Sequence, residues 1–526
     1  MRRVLMTTLA WLCAAMTGCP ALCPAQTPTG GLPAPTVRFE SIAPVVAPPI
    51  TNEFVKADGG HLTLDGRRVV FFGFNLDVWA LLAAKDDAGK KLVDEQLDNA
   101  VRGGFTAVRW HNFDLGSDTN IFHAGGRAKA TDPTTRQLDP VAMKRFVYCW
   151  NACRARNLRI VLTFHHRRQL TPRDKPDWPC PTFDELFEKP FPPRPAGELY
   201  PWCFFDAGLE RLQAEFMQQL LTWPNPETGK TLGADPTLLA VILENEHLLT
   251  KDRPYSYQSR PVLNTMWVDA QEQFQKREGL SKLNKVDLQR CTAWVETRHF
   301  QVLAAEAHHD TPALIIAGTY YGDAPWTSLV SLDAGGDAFD FHFYSKYRMG
   351  ESNGFLSGLD ALLGSSKRSR FAATAGAFNW SGGKGGKPVF CTEWGPVGQY
   401  KPLARDPDDE RGQVLRAMVD AAIAADVDAP FLYSWGHSRL ADDQWSKHTV
   451  YDFRDDAVFL RGARWEIARF HDLSLRPAAG EQKALPLTDE RLYGVGVGTD
   501  YRLYGPYTDP ELSQTPAGVS IRMERN

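Results

Sequence analysis

From residue 69 onward the chain alternates between short apolar runs and longer segments with helical spacing. Val69 to Phe74 is an unbroken apolar run that stops near Asn75, the pattern of a strand covered on both faces. Leu92, Leu97 and Val101 follow at helical intervals and are closed by Gly103-Gly104, which suits a helix C-terminus. Thr106 to Arg109 predicts the second strand. Asp139-Pro140 supplies a cap and a first-turn proline, and Val141, Phe146, Trp150 and Cys153 then mark a helix face. Arg159 to Phe164 predicts the third strand. Leu209, Leu212, Phe216 and Leu220 mark the next helix, and the run from Leu239 predicts a fourth strand ending at Glu246. A long excursion with helices near 264–278 and 286–308 leads to a fifth strand over Ala313–Ala317 and a sixth over Phe339–Phe343. Val389 to Cys391 starts the seventh and Phe431 to Tyr433 the eighth, with helices near 411–425 and 464–472.

Eight apolar strands alternating with helices predict an α/β fold: a closed parallel (β/α)8 barrel over residues 51–475, with its site at the C-terminal ends of the strands. An open doubly wound sheet is the other solution, but no glycine-rich phosphate turn follows the first strand. Gly494-Val495-Gly496-Val497-Gly498 comes late and opens no helix. Before the barrel, Phe54-Val55-Lys56 and His61–Leu64, with Asp65-Gly66 at the turn, predict a β-hairpin. Residues 476–526 are too few for a sandwich and predict a small β-rich extension.

The N-terminus has a different character. A basic start, Met1-Arg2-Arg3, precedes a short apolar stretch over Val4–Met16 and small residues at Cys23-Pro24-Ala25. That is the layout of a signal peptide over residues 1–25, too short for a membrane span, and implies a secreted or periplasmic protein. Met16-Thr17-Gly18-Cys19 leaves open a lipoprotein anchored at Cys19. Residues 26–50, rich in Pro, Gly and Thr, read as a linker.

Composition narrows the function classes. Hydrophobic residues make up 43% and charged residues 23% of the 526-residue chain, as in an ordinary globular protein. A formal net charge of −4 supplies no basic field for nucleic acid. The expected form is a monomer. Of nine cysteines, Cys13, Cys19 and Cys23 lie in or beside the leader. Export permits disulfides, and Cys180 with Cys203, on one long excursion, are the expected pair. Cys149 and Cys153, four apart on a predicted helix, suit buried thiols. No spacing reads as a metal site, and no cofactor is expected.

The chemistry-bearing residues gather where strands stop: Arg109 on the second, His165 on the third, Asn245 and Glu246 on the fourth, His342 and Tyr344 on the sixth, Glu393 on the seventh and Trp435 on the eighth. Strict two-residue alternation would turn Asn245 and Glu246 to opposite faces, so the rim of that strand must bend or bulge for both to reach a site. Two glutamates over one mouth suit cleavage of a glycosidic bond, one protonated to donate to the leaving oxygen and one ionised to attack. Arg109 beside Glu393 favours the ionised form there, and Glu246, with less positive charge nearby, suits the proton donor. A carboxyl separation of roughly 5 Å means retention of configuration and roughly 6.5–9.5 Å inversion.

On these residues, together with Leu162-Thr163-Phe164-His165, His342-Phe343-Tyr344 and Phe71-Phe72-Gly73-Phe74-Asn75, the chain resembles glycoside hydrolase clan A, family 5, the cellulase and mannanase group. The resemblance covers roughly residues 52–470. It implies Glu246 as acid/base and Glu393 as nucleophile, Asn245 on the sugar 2-hydroxyl, Tyr344 and Arg109 orienting the nucleophile, His165 and His342 lining the site, and Trp435 flooring the central subsite. The approach Asn225–Lys230 to Asp235–Ala240 looks mannanase-like, which places β-mannan ahead of β-glucan as the oligo- or polysaccharide substrate. His247 departs from the family, which often has proline after the acid/base.

Rival classes find less support. Glu244 and His247 have the Glu-x-x-His spacing of a di-metal bundle site, but in a β-type run without a second copy. No Gly-x-Ser-x-Gly elbow is present. A sugar-binding barrel without activity usually loses one carboxylate, and both are here. A transglycosylase would keep every residue named above.

Overall fold

A computed structural model describes residues 45–77, 86–114, 121–122, 134–165, 168–190, 196–246, 249, 257–318, 320–321, 335–346, 387–397, 419, 422–423, 426–433, 457–475, 511–515 and 518–522. Three short strands, β1 (Lys56–Asp58), β2 (His61–Leu64) and β3 (Arg67–Arg68), form an antiparallel sheet. The predicted turn lies between β2 and β3, where Asp65 and Gly66 have φ of 52° and 70°. Positive φ at both positions marks the turn type that Asp-Gly favours.

The barrel follows. Its strands are β4 (Gly73–Asp77), β5 (Ala107–His111), β6 (Arg159–Thr163), β9 (Leu238–Ile242), β10 (Leu314–Ile316), β11 (Tyr320–Tyr321), β12 (Phe339–Lys346), β13 (Val389–Val397) and β14 (Ala429–Leu432). A two-residue pair, β7 (Pro224–Asn225) and β8 (Lys230–Thr231), forms a hairpin ahead of β9. The sheet order is β10-β9-β6-β5-β4-β14-β13-β12-β11, and every pairing is parallel. The two ends of that order, β10 and β11, lie within four residues of each other in the chain. They are the two halves of the fifth strand, so the sheet curls into an eight-stranded barrel. Asp337 spans the seam: its N–H donates to Ile315 O at 2.7 Å and its carboxylate accepts from Ile315 N–H at 2.8 Å.

Alternation sorts the strands into two layers. Ala107, Val161, Ala240, Ile242, Leu314, Ile316, Ala338, Phe390, Ala429 and Phe431 form the inner cluster. Val108, Trp110, Ile160, Leu162, Val241, Ile315, Phe339, Phe341 and Cys391 face the helices. Gly73 is glycine for want of room, because a Cβ there would lie 2.1 Å from the Phe431 ring. Six long helices are described: α1 (Asp87–Arg102), α2 (Pro140–Ala155), α3 (Ala207–Leu221), α4 (Pro261–Glu278), α5 (Lys285–Asp310) and α6 (Ala457–Leu475). Asp139 caps α2 by accepting from Val141 N–H at 2.7 Å. The buried face of α2 holds Met143, Phe146, Trp150 and Cys153. Val141 is exposed instead, since the first turn overhangs the core. The predicted helix near 411–425 lies mostly outside the described residues.

Val55, Leu62 and Leu64 of the N-terminal segment join the inner cluster. That sheet therefore closes the barrel's N-terminal mouth and leaves the C-terminal mouth for a site. His61 and Arg68 hold it there, with His61 Nδ1 3.1 Å from Asp428 Oδ1 and Arg68 Nη2 2.6 Å from Asp426 Oδ1. Strands β15 (Glu511–Thr515) and β16 (Gly518–Arg522) form an antiparallel hairpin. The leader, most of the linker and Gly494–Gly498 lie outside the described residues.

The expected Cys180–Cys203 disulfide is not formed, and both side chains are thiols. Cys180 Sγ lies 3.7 Å from Asp206 Oδ2, while Cys203 is buried in the short turn Trp202–Phe204. Cys149 and Cys153 are buried thiols, and burial pushes both upward in pKa. Among the described residues no helix is long and apolar enough to cross a membrane.

Candidate active site

The inner face changes character toward the C-terminal mouth. Two residues beyond Ala107 on β5 stands Arg109, and two beyond Val161 on β6 stands Thr163. Two beyond Ala338, on β12, stands Asp340, followed by His342. The same two-residue period that fills the barrel with apolar side chains thus lifts a polar layer onto it. Two local irregularities complete the layer. On β13 the register advances three residues, Cys391 to Trp394, while β14 advances two, Pro430 to Leu432. The extra residue is a β-bulge, a device that re-aims side chains beside active sites. It turns Thr392 and Glu393 inward together and leaves Cys391 and Trp394 on the outer face, where Trp394 packs 5.9 Å from Phe72. At the end of β9 the chain bends at Leu243, and Glu246 takes a left-handed conformation with φ of 57°. That backbone turn, rather than a bulge, brings both Asn245 and Glu246 into the site.

Arg109 is the hub and is fully buried. Its Nε donates to Thr163 Oγ1 at 2.8 Å. Its Nη1 donates to Asn75 Oδ1 at 2.9 Å and to Glu393 Oε1 at 2.5 Å. Its Nη2 donates to Asn245 Oδ1. Asn75 is oriented in turn, because its Nδ2 donates to Thr392 O at 2.7 Å and Leu432 O at 3.2 Å. Three strands and the end of a fourth thus converge on one guanidinium carried by β5. A buried charge of this kind is tolerable only when it is paired and hydrogen-bonded.

His342 joins the two carboxylates. Its Nδ1 lies 2.5 Å from Glu246 Oε1 and 3.4 Å from Glu393 Oε2, and its Nε2 lies 3.2 Å from Thr392 Oγ1. One oxygen of Glu246, one of Glu393 and a ring nitrogen of His342 all lie within 4.8 Å of one another. Three such groups can hold a cation, but Arg109 already places a positive charge on Glu393, which opposes a resident metal. The carboxylates differ in access: the Glu246 side chain is 24% exposed and that of Glu393 8%.

His165, with φ of 54°, is buried edge-on against the Phe216 ring at 5.8 Å, and no hydrogen-bond partner meets either ring nitrogen among the described residues. Burial, with Arg168 and His299 nearby, holds its pKa well below 6.5. Tyr344 lies on β12, two residues past His342 and paired with Gly395. Trp435 lies outside the described residues. Trp110 and Trp394 are core residues. Sequence reasoning missed Asn75, Thr163, Asp340 and Thr392 as members of the site, and also His111, which follows Arg109 on the inner face with its ring 5.9 Å from that of Tyr433. For Thr163, Asp340 and His111 the signal was the two-residue phase shared with Arg109 and His342.

The fold is similar to that of solved family 5 glycoside hydrolases. An endo-1,4-β-mannanase from Rhizomucor miehei superposes with a TM-score of 0.51 at 15% identity, covering 80% of this chain and 99% of that one. A glycoside hydrolase family 5 mannosidase from the same organism, in a point-mutant form, gives 0.53 at 12% identity, covering 80% and 100%. A different point mutant of a family 5 mannosidase from that organism, in complex with mannosyl-fructose, gives 0.52 at 12%, covering 80% and 98%. No family model matches the sequence, and no curated protein matches it. At these identities the likeness is one of fold.

Proposed function

We propose that the protein is a secreted, retaining β-glycosidase in which Glu246 is the acid/base and Glu393 the nucleophile. The observation that carries this reading is the pair of carboxylates facing one imidazole nitrogen, with oxygens within 4.8 Å of each other. Nearest oxygens so close favour the short carboxyl spacing of about 5–5.5 Å used in double displacement over the roughly 6.5–9.5 Å that admits a water. The environments assign the roles. Glu393 is deep and ion-paired to Arg109, which suits an ionised nucleophile. Glu246 is the more open of the two, as suits a group that exchanges protons with leaving group and water.

In the first step Glu393 Oε forms a bond to the anomeric carbon. The glycosidic C–O bond breaks, its electron pair leaves on the oxygen, and Glu246 delivers a proton there. In the second step Glu246, now a carboxylate, takes a proton from water. The water oxygen attacks the anomeric carbon and Glu393 departs as a carboxylate. The substrate we propose is a β-linked glycan, β-mannan ahead of β-glucan. The mannanase-like approach to β9 and the activities named for the superposed structures support that order. Export is proposed from the leader-like residues 1–25.

The test is sugar release by residues 26–526 from β-mannans, β-glucans, xylans and aryl glycosides, with Glu393→Gln run alongside. Release by the wild type alone supports the reading. Undiminished release by Glu393→Gln would sink it, and binding without release would indicate a carbohydrate-binding barrel.

A further inference from the structure

Below the two glutamates lies a pair of buried side chains, Asp340 and Thr392. Asp340 precedes His342 by two residues on β12 and so shares its inward face. Asp340 Oδ1 accepts from Thr392 N–H at 2.8 Å, and Asp340 Oδ2 accepts from Thr392 Oγ1 at 2.5 Å. The first bond satisfies a backbone donor in the β13 bulge, which is a structural role. The second has a chemical consequence. A carboxylate only accepts, so the Thr392 hydroxyl must spend its proton on Asp340. Toward His342 Nε2, at 3.2 Å, that hydroxyl can then only accept, so Nε2 carries the ring proton. In the neutral ring Nδ1 is then a lone pair, 2.5 Å from Glu246 Oε1. A lone pair facing a carboxyl oxygen at that distance requires the proton to sit on Glu246.

We propose that Asp340 and Thr392 are positioning residues that lock His342 in its Nε2–H form, and so store Glu246 as a carboxylic acid ready to donate. This rests on the glycosidase reading for its purpose but not for its geometry. Among the described residues the charged groups facing His342 are Glu246 from the end of β9 and Glu393 from β13, with Arg109 of β5 behind Glu393; Asp340 lies on its own strand. In the second step the same arrangement works in reverse. The Nδ1 lone pair favours return of a proton to Glu246 as that carboxylate deprotonates water.

The decisive variant is Asp340→Asn, which is nearly isosteric. Its side-chain oxygen can still accept from Thr392 N–H, but its amide donates to Thr392 Oγ1. The hydroxyl then donates to His342 Nε2, the ring proton moves to Nδ1, and Glu246 meets a donor that favours its ionised form. Nitrogen-15 NMR of the imidazole near neutral pH should show Nε2 protonated and Nδ1 bare in the wild type, and the reverse in Asp340→Asn. Turnover of a glycan, whose alcohol leaving group needs the acid, should fall by on the order of 10²-fold, the range of a lost general acid. A dinitrophenyl glycoside, whose leaving group needs no proton, should change little, and the basic limb of the glycan pH profile should move to lower pH. Thr392→Ser should keep wild-type behaviour, and Thr392→Val, an independent variant should Asp340→Asn not fold, should reproduce the leaving-group split. A wild-type His342 protonated on both nitrogens, or on Nδ1 alone, would overturn the proposal. So would variants that lose both substrates equally. If the wild type releases no sugar at all, the glycosidase reading fails, while the nitrogen shifts still decide the tautomer.

Discussion

Arg109 shows how one side chain can be both a folding element and a chemical one. Its guanidinium donates to partners on β4, β6, β13 and the end of β9. Lysine keeps the charge but only as a point, without the planar fork. Arg109→Lys should therefore lower kcat with little change in KM, since it loosens the nucleophile rather than a sugar subsite. It should also lower stability, though by less than the roughly 3–5 kcal/mol of removing one partner of a buried pair outright. Paired kinetics and denaturant unfolding check both parts, and an unchanged kcat would mean that Arg109 plays no part in catalysis. This residue, like Glu246, Glu393, His342 and Asn245, was legible as a polar side chain at the end of an apolar run. Asp340 was legible in principle, because Phe339-Asp340-Phe341-His342-Phe343 alternates cleanly. Thr392 was not, because its orientation depends on a bulge that nothing in Thr392-Glu393-Trp394 announces.

Among elements, the order and type of the strands and helices followed from periodicity, while their edges did not. The first strand starts at Gly73 rather than Val69, because Val69 N–H still donates to Leu62 O of β2, and the turn to the barrel comes only with Phe71 and Phe72, which bond Asp428 O and Thr106 N–H. The fourth ends at Ile242 rather than Glu246, because the chain bends to present the glutamate. The fifth is split, its second half, Tyr320–Tyr321, lying past the apolar run. The long excursion after β6 contains a device that no local pattern shows. Helix α4 opens with Pro261, which has no N–H, and its N-cap Arg260 makes no side-chain cap bond. Glu185, from that excursion, caps the helix instead by accepting from Val262 N–H at 3.1 Å and Leu263 N–H at 3.0 Å, and also from Trp202 Nε1 at 3.0 Å. Glu185→Ala takes the acceptor from these three donors and should cost about 1–3 kcal/mol in denaturant unfolding. Turnover of a small aryl glycoside per folded molecule should persist. A variant as stable as the wild type would refute the cap.

For the whole molecule, opposed histidines set the pH at which the fold is strongest. The hydrogen bond to Asp428 raises the His61 pKa above 6.5, against the opposing effect of burial. The folded state therefore binds that proton more tightly than the unfolded chain. Its contribution is complete below about pH 6.5 and is lost as pH rises through the raised value. His165 and His471 run the other way. Burial lowers both, His471 to about 4, so the unfolded chain takes up their protons first and stability falls as pH drops below about 6.5. Denaturant midpoints measured from about pH 5 to 8.5 should peak near 6.5. His61→Gln should flatten the alkaline side alone, because it releases the clamp between the N-terminal sheet and the base of the barrel. An alkaline fall that survives in His61→Gln would assign the effect to other groups.

The roles given to both glutamates turn on a covalent intermediate at Glu393, which a mechanism-based label can trap. The wild type is incubated with 2-deoxy-2-fluoro-β-mannosyl and β-glucosyl fluorides, then digested and mapped by mass spectrometry. One adduct is expected, on the peptide carrying Glu393, with activity lost in step with labelling. Turnover of these fluorides without an adduct, or an adduct on another residue, would contradict the double displacement proposed here.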